Sequence, residues 1–377
     1  MQRKIYIHER PEWPAFRWNS AALANQLAAV RHHQGRLLGR MEALGFRLQS
    51  ETTLQTLTQD ALKTSEIEGE LLNREQVRSS LARRLGLEKA GVMPVDGRAD
   101  AIAAVVLDAT QNFERPLTAE RLFMWHRSLF PAGGAGRQPI TVGGWRTDAF
   151  GAMIVTSGRP GREQVHFEAP SAARVPAEMA RFLIWFEDKA DTTDPVLKAA
   201  VAHFWFVTIH PFDDGNGRIG RAIADMALAR SERTSQRFYS MSTRLRVERK
   251  AYYETLEAMQ KGDLDITARL GWLLAVLDQA LSDAEAILAA TIRKSQFWEG
   301  LARLPINERQ RKMLGHLIDG FEGKLTTSKW AQMVKCSQDT ALRDITGLIE
   351  CGVLAQDAAG GRSTSYSLTS VSDPPFR

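Results

Sequence analysis

Residues 210–221 read HPFDDGNGRIGR, which places a histidine, two aspartates, a Gly-Asn-Gly turn and two arginines within twelve positions. A histidine can accept a proton from an attacking hydroxyl, and an aspartate can hold a divalent cation. Backbone N–H groups of a glycine turn bind phosphate oxygens where the turn opens a helix. The stretch therefore predicts a loop between two helices that handles a triphosphate.

Individual side chains of this stretch can be given chemical tasks. If a helix opens near Gly217, Arg218 and Arg221 lie three residues apart near its positive end, so that both reach one phosphate chain. Of the two aspartates we favour Asp214, beside the turn, as the Mg²⁺ ligand. Asn216 offers an amide donor to a phosphoryl oxygen, where charge develops in the transition state.

Other interpretations of the same residues stay open. His210 could be a helix-terminal histidine satisfied by a carbonyl, and Phe212 a core residue that fixes the loop. His203 and His210 lie on one helical face with the spacing of a metal pair, but no third ligand is in register. The glycine spacing follows neither the Walker nor the Rossmann pattern, because no GK[ST] is present and a helix precedes the turn.

Composition sets broader limits. With 377 residues, 44% apolar and 25% charged, the chain is expected to form two or three globular domains. The chain has 49 basic and 44 acidic residues. This small positive excess permits an anionic partner but does not by itself indicate nucleic-acid binding. Cys336 and Cys351 are too few and too isolated for a disulfide framework or a zinc site, so we expect reduced, buried thiols.

The apolar pattern predicts no membrane segment. The first residues alternate charged and aromatic side chains without the apolar core of a signal peptide. No apolar run approaches the ~18 residues needed to cross a bilayer. We therefore expect a cytoplasmic protein.

Hydrophobic periodicity predicts a mainly α-helical chain. Two or three amphipathic helices are expected between Ser20 and Leu87, and a second helical series from Ala99. A helix opened by Asp194 and Pro195 should end at Ile209 and present His210. The only predicted β-structure upstream of His210 is a small hairpin, whose two strands flank the turn sequence SGRPGREQ.

A further unit is expected from Pro305. Helices near Asn307, Thr327 and Ser337 are followed by two strand-like segments, 353–356 and 365–368, around a turn at Gly360 and Gly361. This is winged-helix order, a variant of the helix-turn-helix. The predicted domains are an N-terminal helical region at 1–95, a helical core at 96–295 and a winged-helix domain at 300–377.

The quoted stretch resembles the Fic motif, HxFx(D/E)GNGRxxR, at every defined position. The chain is thus identified as a member of the Fic (filamentation induced by cAMP) family of protein adenylyltransferases. The resemblance implies a Fic-fold helical bundle that transfers AMP from ATP to a Ser, Thr or Tyr hydroxyl of a protein, with Mg²⁺. The roles it implies are a general base for His210, Mg²⁺ binding for Asp214, an anion hole for Gly215, Asn216 and Gly217, a phosphate contact for Arg218 and the γ-phosphate contact for Arg221.

The same resemblance covers the walls of the site. The hairpin at 153–167 is similar to the family's flap, on which a target segment docks as an added strand. Tyr252, Tyr253 and Leu256 resemble a downstream YYxxL segment, in which an aromatic residue helps to enclose adenine. Tyr253 is our candidate and Gln260 a second one, while core packing of one tyrosine is an equal alternative.

A second signature lies in the N-terminal region. The sequence TSEIEG, from Thr64 to Gly69, resembles the family's inhibitory motif (S/T)xxxE(G/N). The resemblance implies that Glu68 pairs with Arg221 and so removes the arginine needed by the γ-phosphate, with ATP then bound unproductively. The chain would belong to the N-terminally autoinhibited class, in which the same glutamate can also support removal of AMP from the modified protein.

Two alternatives compete with AMP transfer. One is a Fic transferase that uses another nucleotide, and the other is a nucleotide-sensing regulator that binds DNA through the winged helix. Residues 301–377 hold ten basic and eight acidic residues, which gives DNA binding little support. The basic residues that could line one face are Lys324, Lys329, Lys335 and Arg362. The family resemblance also implies self-modification and homodimers.

Overall fold

The computed structural model describes residues 5–87, 96–131, 140–158, 162–318, 321, 323–357 and 364–369. The predicted mainly α-helical fold is confirmed. The helices are α1 (Ser20–Glu42), α2 (Phe46–Ile67), α3 (Arg74–Arg84), α4 (Gly97–Gln111), α5 (Ala119–Leu129), α6 (Val175–Glu187), α7 (Pro195–Ile209), α8 (Asn216–Glu232), α9 (Met241–Val247), α10 (Arg249–Gln260), α11 (Thr267–Leu301), α12 (Glu308–Ile318), α13 (Thr327–Val334) and α14 (Gln338–Glu350). The strands are β1 (Ile154–Ser157), β2 (Gln164–Glu168), β3 (Leu354–Gln356) and β4 (Tyr366–Leu368).

The chain divides into two compact units, residues 1–284 and 285–377. In the first unit α7 is buried from Val196 to Ile209 with the exception of Lys198, because its sequence is apolar on all sides. Helix α8 packs against it so closely that a Cβ atom on Gly220 would lie 2.8 Å from Cγ1 of Val207. The predicted domain boundaries at 95 and 295 stay predictions.

The N-terminal signature, Thr64 to Gly69, lies at the C-terminal end of helix α2, which packs in the first unit. The helix packs against α3, α4, α8 and α9. The side chains of Leu54, Leu57 and Ala61 are buried along it, although the helix also buries several threonines. The end of α2 therefore lies beside the start of α8, about 150 residues later in the sequence.

Strands β1 and β2 form an antiparallel hairpin, with Ile154 opposite Glu168 and Ser157 opposite Gln164. A bulge interrupts the pairing between Val155 and Thr156. Phe167 anchors the hairpin in a small apolar cluster with Tyr6 and Ala169. The part of the predicted turn at 159–161 lies outside the described residues.

The second unit contains α12, α13 and α14, followed by the antiparallel pair β3 and β4. Its core is centred on Trp330, Ile345 and Leu348, which are buried. The predicted turn at Gly360 and Gly361, and Arg362 with it, lies outside the described residues. The winged-helix assignment stays a prediction.

The cysteines correct one expectation. Cys336 and Cys351 are free thiols, but both are half-buried at the edge of the second unit's core and not fully buried as we expected. A separate finding concerns membranes: across the described ranges, no helix combines the length and the apolar character that a membrane crossing demands.

Candidate active site

The chemistry of the 210–221 stretch depends on a sharp loop between α7 and α8. His210 ends α7 in the left-handed conformation, with φ of 53°, and Gly215 adopts φ of 82° immediately before Asn216 opens α8. The helix thus begins at Asn216, next to the predicted start near Gly217. A Cβ atom on Gly215 would also lie 2.8 Å from Cε2 of Phe130, so that only glycine fits there.

Asn216 holds this loop together from within. Its Oδ1 accepts from the backbone N–H of Phe212 at 3.0 Å, and its Nδ2 donates to the Phe212 carbonyl at 2.7 Å. The side chain is buried. The side chain thus fixes the loop through one of its two N–H donors. Its contact with a phosphoryl oxygen stays a prediction, as do the anion contacts of the backbone N–H groups in the first helical turn.

His210 is prepared to act as a base. Its Nδ1 lies 3.1 Å from the Val207 carbonyl, and since a carbonyl only accepts, Nδ1 carries the proton and Nε2 keeps a lone pair. Burial lowers the pKa of His210 below its ordinary value of 6.5, although the hydrogen bond to Val207 opposes the shift. The imidazole is therefore neutral at physiological pH. The other member of the suggested metal pair, His203, instead places Nε2 3.1 Å from the Tyr252 hydroxyl.

The two aspartates of the loop differ in whether their carboxylates are free to bind a metal ion. Oδ2 of Asp213 accepts from the Thr141 backbone N–H at 2.7 Å, which commits this carboxylate to the neighbouring loop. The Asp214 side chain is 63% exposed and lines the cavity described below. Among the described residues, no cluster of three or more His, Cys, Asp or Glu side chains forms a protein cage for a metal. A single exposed carboxylate fits Mg²⁺, which usually keeps several waters and is held by few carboxylates together with substrate phosphates.

Arg221 is buried and already occupied. Its Nε donates to Oγ1 of Thr64 at 2.7 Å, and its Nη2 donates to the Thr64 carbonyl and to Oε1 of Glu68, each at 2.8 Å. Burial alone would lower the pKa of Arg221, but the Glu68 carboxylate raises it above the usual value. The structure thus brings the two distant sequence signatures into direct contact.

The carboxylate of Glu68 also lies against the start of α8. A Cβ atom on Gly217 would lie 2.1 Å from Oε1 of Glu68, so the absence of a side chain is what permits this approach. The helix N-terminus carries partial positive charge and favours an anion at this position. Glu68 therefore places a carboxylate at the end of α8 that favours an anion.

A glycine ends α2 and directs Glu68. Gly69 has φ of 86°, and its N–H donates to the Glu66 carbonyl at 3.1 Å while the N–H of Glu70 donates to the Ser65 carbonyl at 3.0 Å. These two bonds form a Schellman motif, which terminates a helix with a left-handed residue. The turn places two carboxylates, Glu68 and Glu70, at the end of α2 that meets α8.

The contact of Glu70 escaped the sequence analysis. Its Oε2 accepts from Nη1 of Arg218 at 3.0 Å, and Arg218 also lies over the ring of Phe130, 5.0 Å from its centre. Only 10% of the Arg218 side chain is exposed. Both arginines of the motif are thus paired with carboxylates from the same turn.

Two further residues that position the loop were also missed. His126 stacks on Phe212 with ring centres 4.3 Å apart, and its Nε2 donates to the Asp214 carbonyl at 3.2 Å. Arg146 donates from Nε to the His210 carbonyl at 2.7 Å. Nothing in the local sequence distinguishes these residues from others of their type, because their roles arise only in the folded chain.

A cavity of about 690 Å³ opens over this loop. Its walls include the hairpin, the loop and α10, with the candidate adenine residues Tyr253 and Gln260 among them. Tyr253 is 38% exposed, whereas Tyr252 is buried and belongs to the core. Gln260 is buried as well and donates from Nε2 to Oγ1 of Thr208 at 3.3 Å.

Two family models match the chain. Residues 116–228 match the Fic/DOC family, and residues 6–87 match a domain of unknown function (DUF4172). The first match contains the whole loop. Residues 116–228 thus form a Fic/DOC domain.

Curated relatives match the chain over short segments. A protein adenylyltransferase, fic-1 of Caenorhabditis elegans, is 34% identical over 115 residues, which is 29% of this chain and 21% of that protein. A uridine 5'-monophosphate transferase of Xanthomonas campestris is 31% identical over 121 residues, which is 30% of this chain and 21% of that protein. The chain therefore spans about a fifth of the length of each.

A solved structure resembles nearly the whole fold. The crystal structure of a Fic family protein from Desulfovibrio desulfuricans aligns with a TM-score of 0.52 at 22% identity, covering 92% of this chain and 96% of that one. The likeness concerns the fold alone.

Proposed function

We propose that this chain, which carries a Fic/DOC domain at residues 116–228, is a nucleotidyltransferase that moves AMP from ATP to a Ser, Thr or Tyr hydroxyl of a protein. The observation that carries the proposal is the loop itself. A neutral, proton-accepting His210 and the N-terminus of α8 line one cavity, with the exposed Asp214 between them in the loop. Two proteins with related segments are named as nucleotide-monophosphate transferases.

The reaction follows from these positions. Nε2 of His210 accepts the proton of the target hydroxyl, whose oxygen attacks the α-phosphorus while pyrophosphate leaves. Backbone N–H groups of Gly215 to Gly217 stabilise the charge that develops on the phosphoryl oxygens. Arg218 and Arg221 hold the remaining phosphates. When bound at Asp214, Mg²⁺ supplies further neutralisation of phosphate charge.

The site is proposed to be inhibited by its own N-terminal region. In support, Glu68 contacts the arginine proposed for the γ-phosphate and lies against Gly217, and Thr64 binds the same arginine. Glu70 pairs with the second arginine. A triphosphate binding productively must displace carboxylates that satisfy the same donors. The role of Glu68 in removing AMP stays a prediction.

The protein substrate is proposed to dock on the hairpin at 153–167. Strands β1 and β2 pair only with each other among the described residues, so that an added strand could extend the sheet. Exposed Ile154 and Val165 offer apolar contacts to such a strand. Self-modification, homodimers and DNA binding by residues 300–377 stay predictions from the sequence.

Transfer of another nucleotide is the second candidate function. The relative named as a uridine 5'-monophosphate transferase favours it. The cavity wall also contains carboxylates, Glu254 and Glu257, and the amide of Gln260, which can discriminate between bases by hydrogen bonding. We expect ATP to be preferred.

The test uses the Glu68→Gly variant, because it removes the competing carboxylate. Incubation with α-labelled ATP, UTP or GTP in the presence of cell lysate should label protein most strongly from ATP. The same variant carrying His210→Ala should lose at least about a hundredfold in rate, as expected for removal of a general base. Preferential labelling from UTP would replace the first proposal by the second, and absence of label from all three nucleotides would overturn both.

A further inference from the structure

The hairpin proposed for docking is too small to hold its own position. Its strands β1 and β2 have four and five residues and, within the described part of the chain, pair only with each other. A two-stranded hairpin is marginally stable in water unless it packs against other elements. The position of the hairpin relative to His210 therefore depends on contacts from outside it.

The segment at 5–17, which we call the strap, supplies two of these contacts. The ring of Tyr6 meets the ring of Phe167 edge-on with centres 5.2 Å apart, and both side chains are buried. Nε2 of His8 lies 2.8 Å from the Glu168 carbonyl, and because a carbonyl only accepts, the imidazole is the donor. Tyr6 and His8 thus hold the last two residues of β2.

The strap is itself fixed to other parts of the first unit. The N–H of Arg17 donates to the Leu264 carbonyl, and the N–H of Ile266 donates to the Arg17 carbonyl, each at 2.8 Å. Nε1 of Trp13 donates to Oε2 of Glu178 on α6 at 2.9 Å. The strap is therefore anchored at two places apart from its contacts with the hairpin.

The same end of the hairpin is bonded to the loop at 210–221. Arg146 donates from Nη2 to the carbonyl of Pro170, two residues after β2, and from Nε to the carbonyl of His210 at 2.7 Å. The Arg146 side chain is buried. Residues 167–170 are thus bonded both to the strap and, through Arg146, to the residue proposed as the base.

A further contact ties the hairpin to α10. Nδ1 of His166 lies 2.5 Å from Oε2 of Glu257, but these side chains are 25% and 28% exposed, so that water competes with the pair. The strap contacts are buried, and a buried hydrogen bond is costly to leave unmade. We therefore expect the strap to hold the hairpin more firmly than the contact with α10 does.

We propose that the strap is a positioning element for the protein substrate: Tyr6 and His8 hold the docking hairpin at the distance from His210 at which a target hydroxyl reacts. A misplacement of about 1 Å can lower a rate about a hundredfold. Tyr6 and His8 lie in the region at 6–87 that matches a domain of unknown function, and the inference gives part of that region a role. The inference rests on the proposed function, since it needs a protein to dock on the hairpin.

The experiment compares full-length Glu68→Gly with the same chain carrying Tyr6→Ala. Initial rates of labelling from α-labelled ATP are measured at increasing lysate concentrations, and we expect kcat/KM for lysate protein to fall at least about tenfold. Hydrogen exchange should become faster in peptides from 153–168 and stay unchanged in peptides from α8. The Kd of an ATP analogue with a methylene bridge between the α- and β-phosphorus should stay within about twofold, because the loop and not the strap binds the phosphates.

Matched variants separate positioning from general damage to the fold. Tyr6→Phe keeps the ring that contacts Phe167 and should restore transfer and exchange. Ile5→Ala changes a neighbouring side chain that is 53% exposed and should have no effect. His8→Ala removes one hydrogen bond to the hairpin and should act in the same direction as Tyr6→Ala, whereas His8→Gln keeps an N–H donor and should restore part of the transfer rate.

The possible results separate this inference from the proposed function. Unchanged lysate labelling or unchanged hairpin exchange in Tyr6→Ala and His8→Ala would overturn the inference. Equal losses of labelling and of ATP-analogue binding would also overturn it, because the strap would then support the fold as a whole. If Tyr6→Ala failed to fold, His8→Ala would decide. Absence of labelled protein with Glu68→Gly alone would overturn the proposed function, and hydrogen exchange would still show whether the strap holds the hairpin.

Discussion

Among single residues, Glu68 is the one on which the proposed inhibition depends. Its carboxylate contacts Nη2 of Arg221 at 2.8 Å and lies against the backbone of Gly217, at the positive end of α8. It therefore satisfies the two kinds of donor, a guanidinium and a helix N-terminus, that a phosphate group would use. Since the Arg221 side chain is only 3% exposed, water does not replace the carboxylate easily.

The pair formed by Glu70 and Arg218 gives a prediction at the same scale. Glu70→Gln removes the charge that holds Arg218, at a cost to the inhibited state of about 1 kcal/mol, or about a fivefold change in rate. Initial rates of AMP transfer should rise by that factor. Glu75→Gln, a change at an exposed glutamate in the first turn of α3, is the control and should leave the rate unaltered. An unaltered rate in Glu70→Gln as well would exclude Glu70 from inhibition.

The pH dependence of the reaction reports on His210. Burial lowers its pKa below 6.5, and a general base acts only when unprotonated. The transfer rate of the Glu68→Gly variant should hence fall as the pH decreases, with its midpoint below pH 6.5, and approach a plateau toward pH 8. Rates measured at constant ionic strength test this. The exposed His32 serves as the control, because His32→Gln should not move the midpoint. A midpoint at or above pH 6.5 in the Glu68→Gly variant would argue against a buried His210 as the base.

At the scale of the element, the end of α2 decides where the two carboxylates lie. Gly69 has φ of 86°, and a Cβ atom there would meet nothing within 4 Å, so a substitution acts on the backbone alone. Gly69→Ala should cost about 1 kcal/mol of stability and loosen the turn that directs Glu68. We expect a lower unfolding midpoint in urea together with a higher basal rate of AMP transfer.

The control for this change is Gly39→Ala, within α1. Its Cβ atom would also meet nothing within 4 Å, but Gly39 is helical, so alanine should stabilise the helix by about 1 kcal/mol. The two substitutions add the same methyl group and should shift the unfolding midpoint in opposite directions. If the Gly69→Ala variant had the same unfolding midpoint and the same basal rate of AMP transfer as the parent chain, the turn at Gly69 would not be needed to hold Glu68 in place.

The elements were largely predictable because their signals are local. Asp194 and Pro195 predict the start of α7, and the turn sequence after Ser157 predicts the hairpin. The predicted start of α8 near Gly217 agrees with the structure to within one residue, since Gly215 takes the left-handed turn and Asn216 is the first helical residue. The phosphate contact of Asn216 stays a prediction. Sequence alone does not show that its side chain also bonds the backbone of Phe212 and so holds the loop.

At the scale of the whole molecule, the missed contacts are those between residues distant in sequence. Glu70 and Arg218 are separated by 148 positions, and His126 and Asp214 by 88. The pairing of Glu68 with Arg221 was expected only through the family resemblance, since neither periodicity nor charge specifies it. What the sequence did not provide was the packing of α2 on α8, which brings these side chains together.

The proposal that Glu68 restrains a competent AMP-transfer site has a direct kinetic test. It compares initial rates of AMP incorporation from ATP by the parent chain, Glu68→Gly and Glu66→Gly. Glu66 lies in the same helical turn but pairs with Lys63, so it controls for loss of a glutamate and gain of a glycine at the end of α2. Loss of a charge-assisted hydrogen bond worth about 2 kcal/mol predicts a rate about thirtyfold above the parent for Glu68→Gly and no such gain for Glu66→Gly. Equal rates for the parent and Glu68→Gly, or equal gains in both variants, would contradict the account.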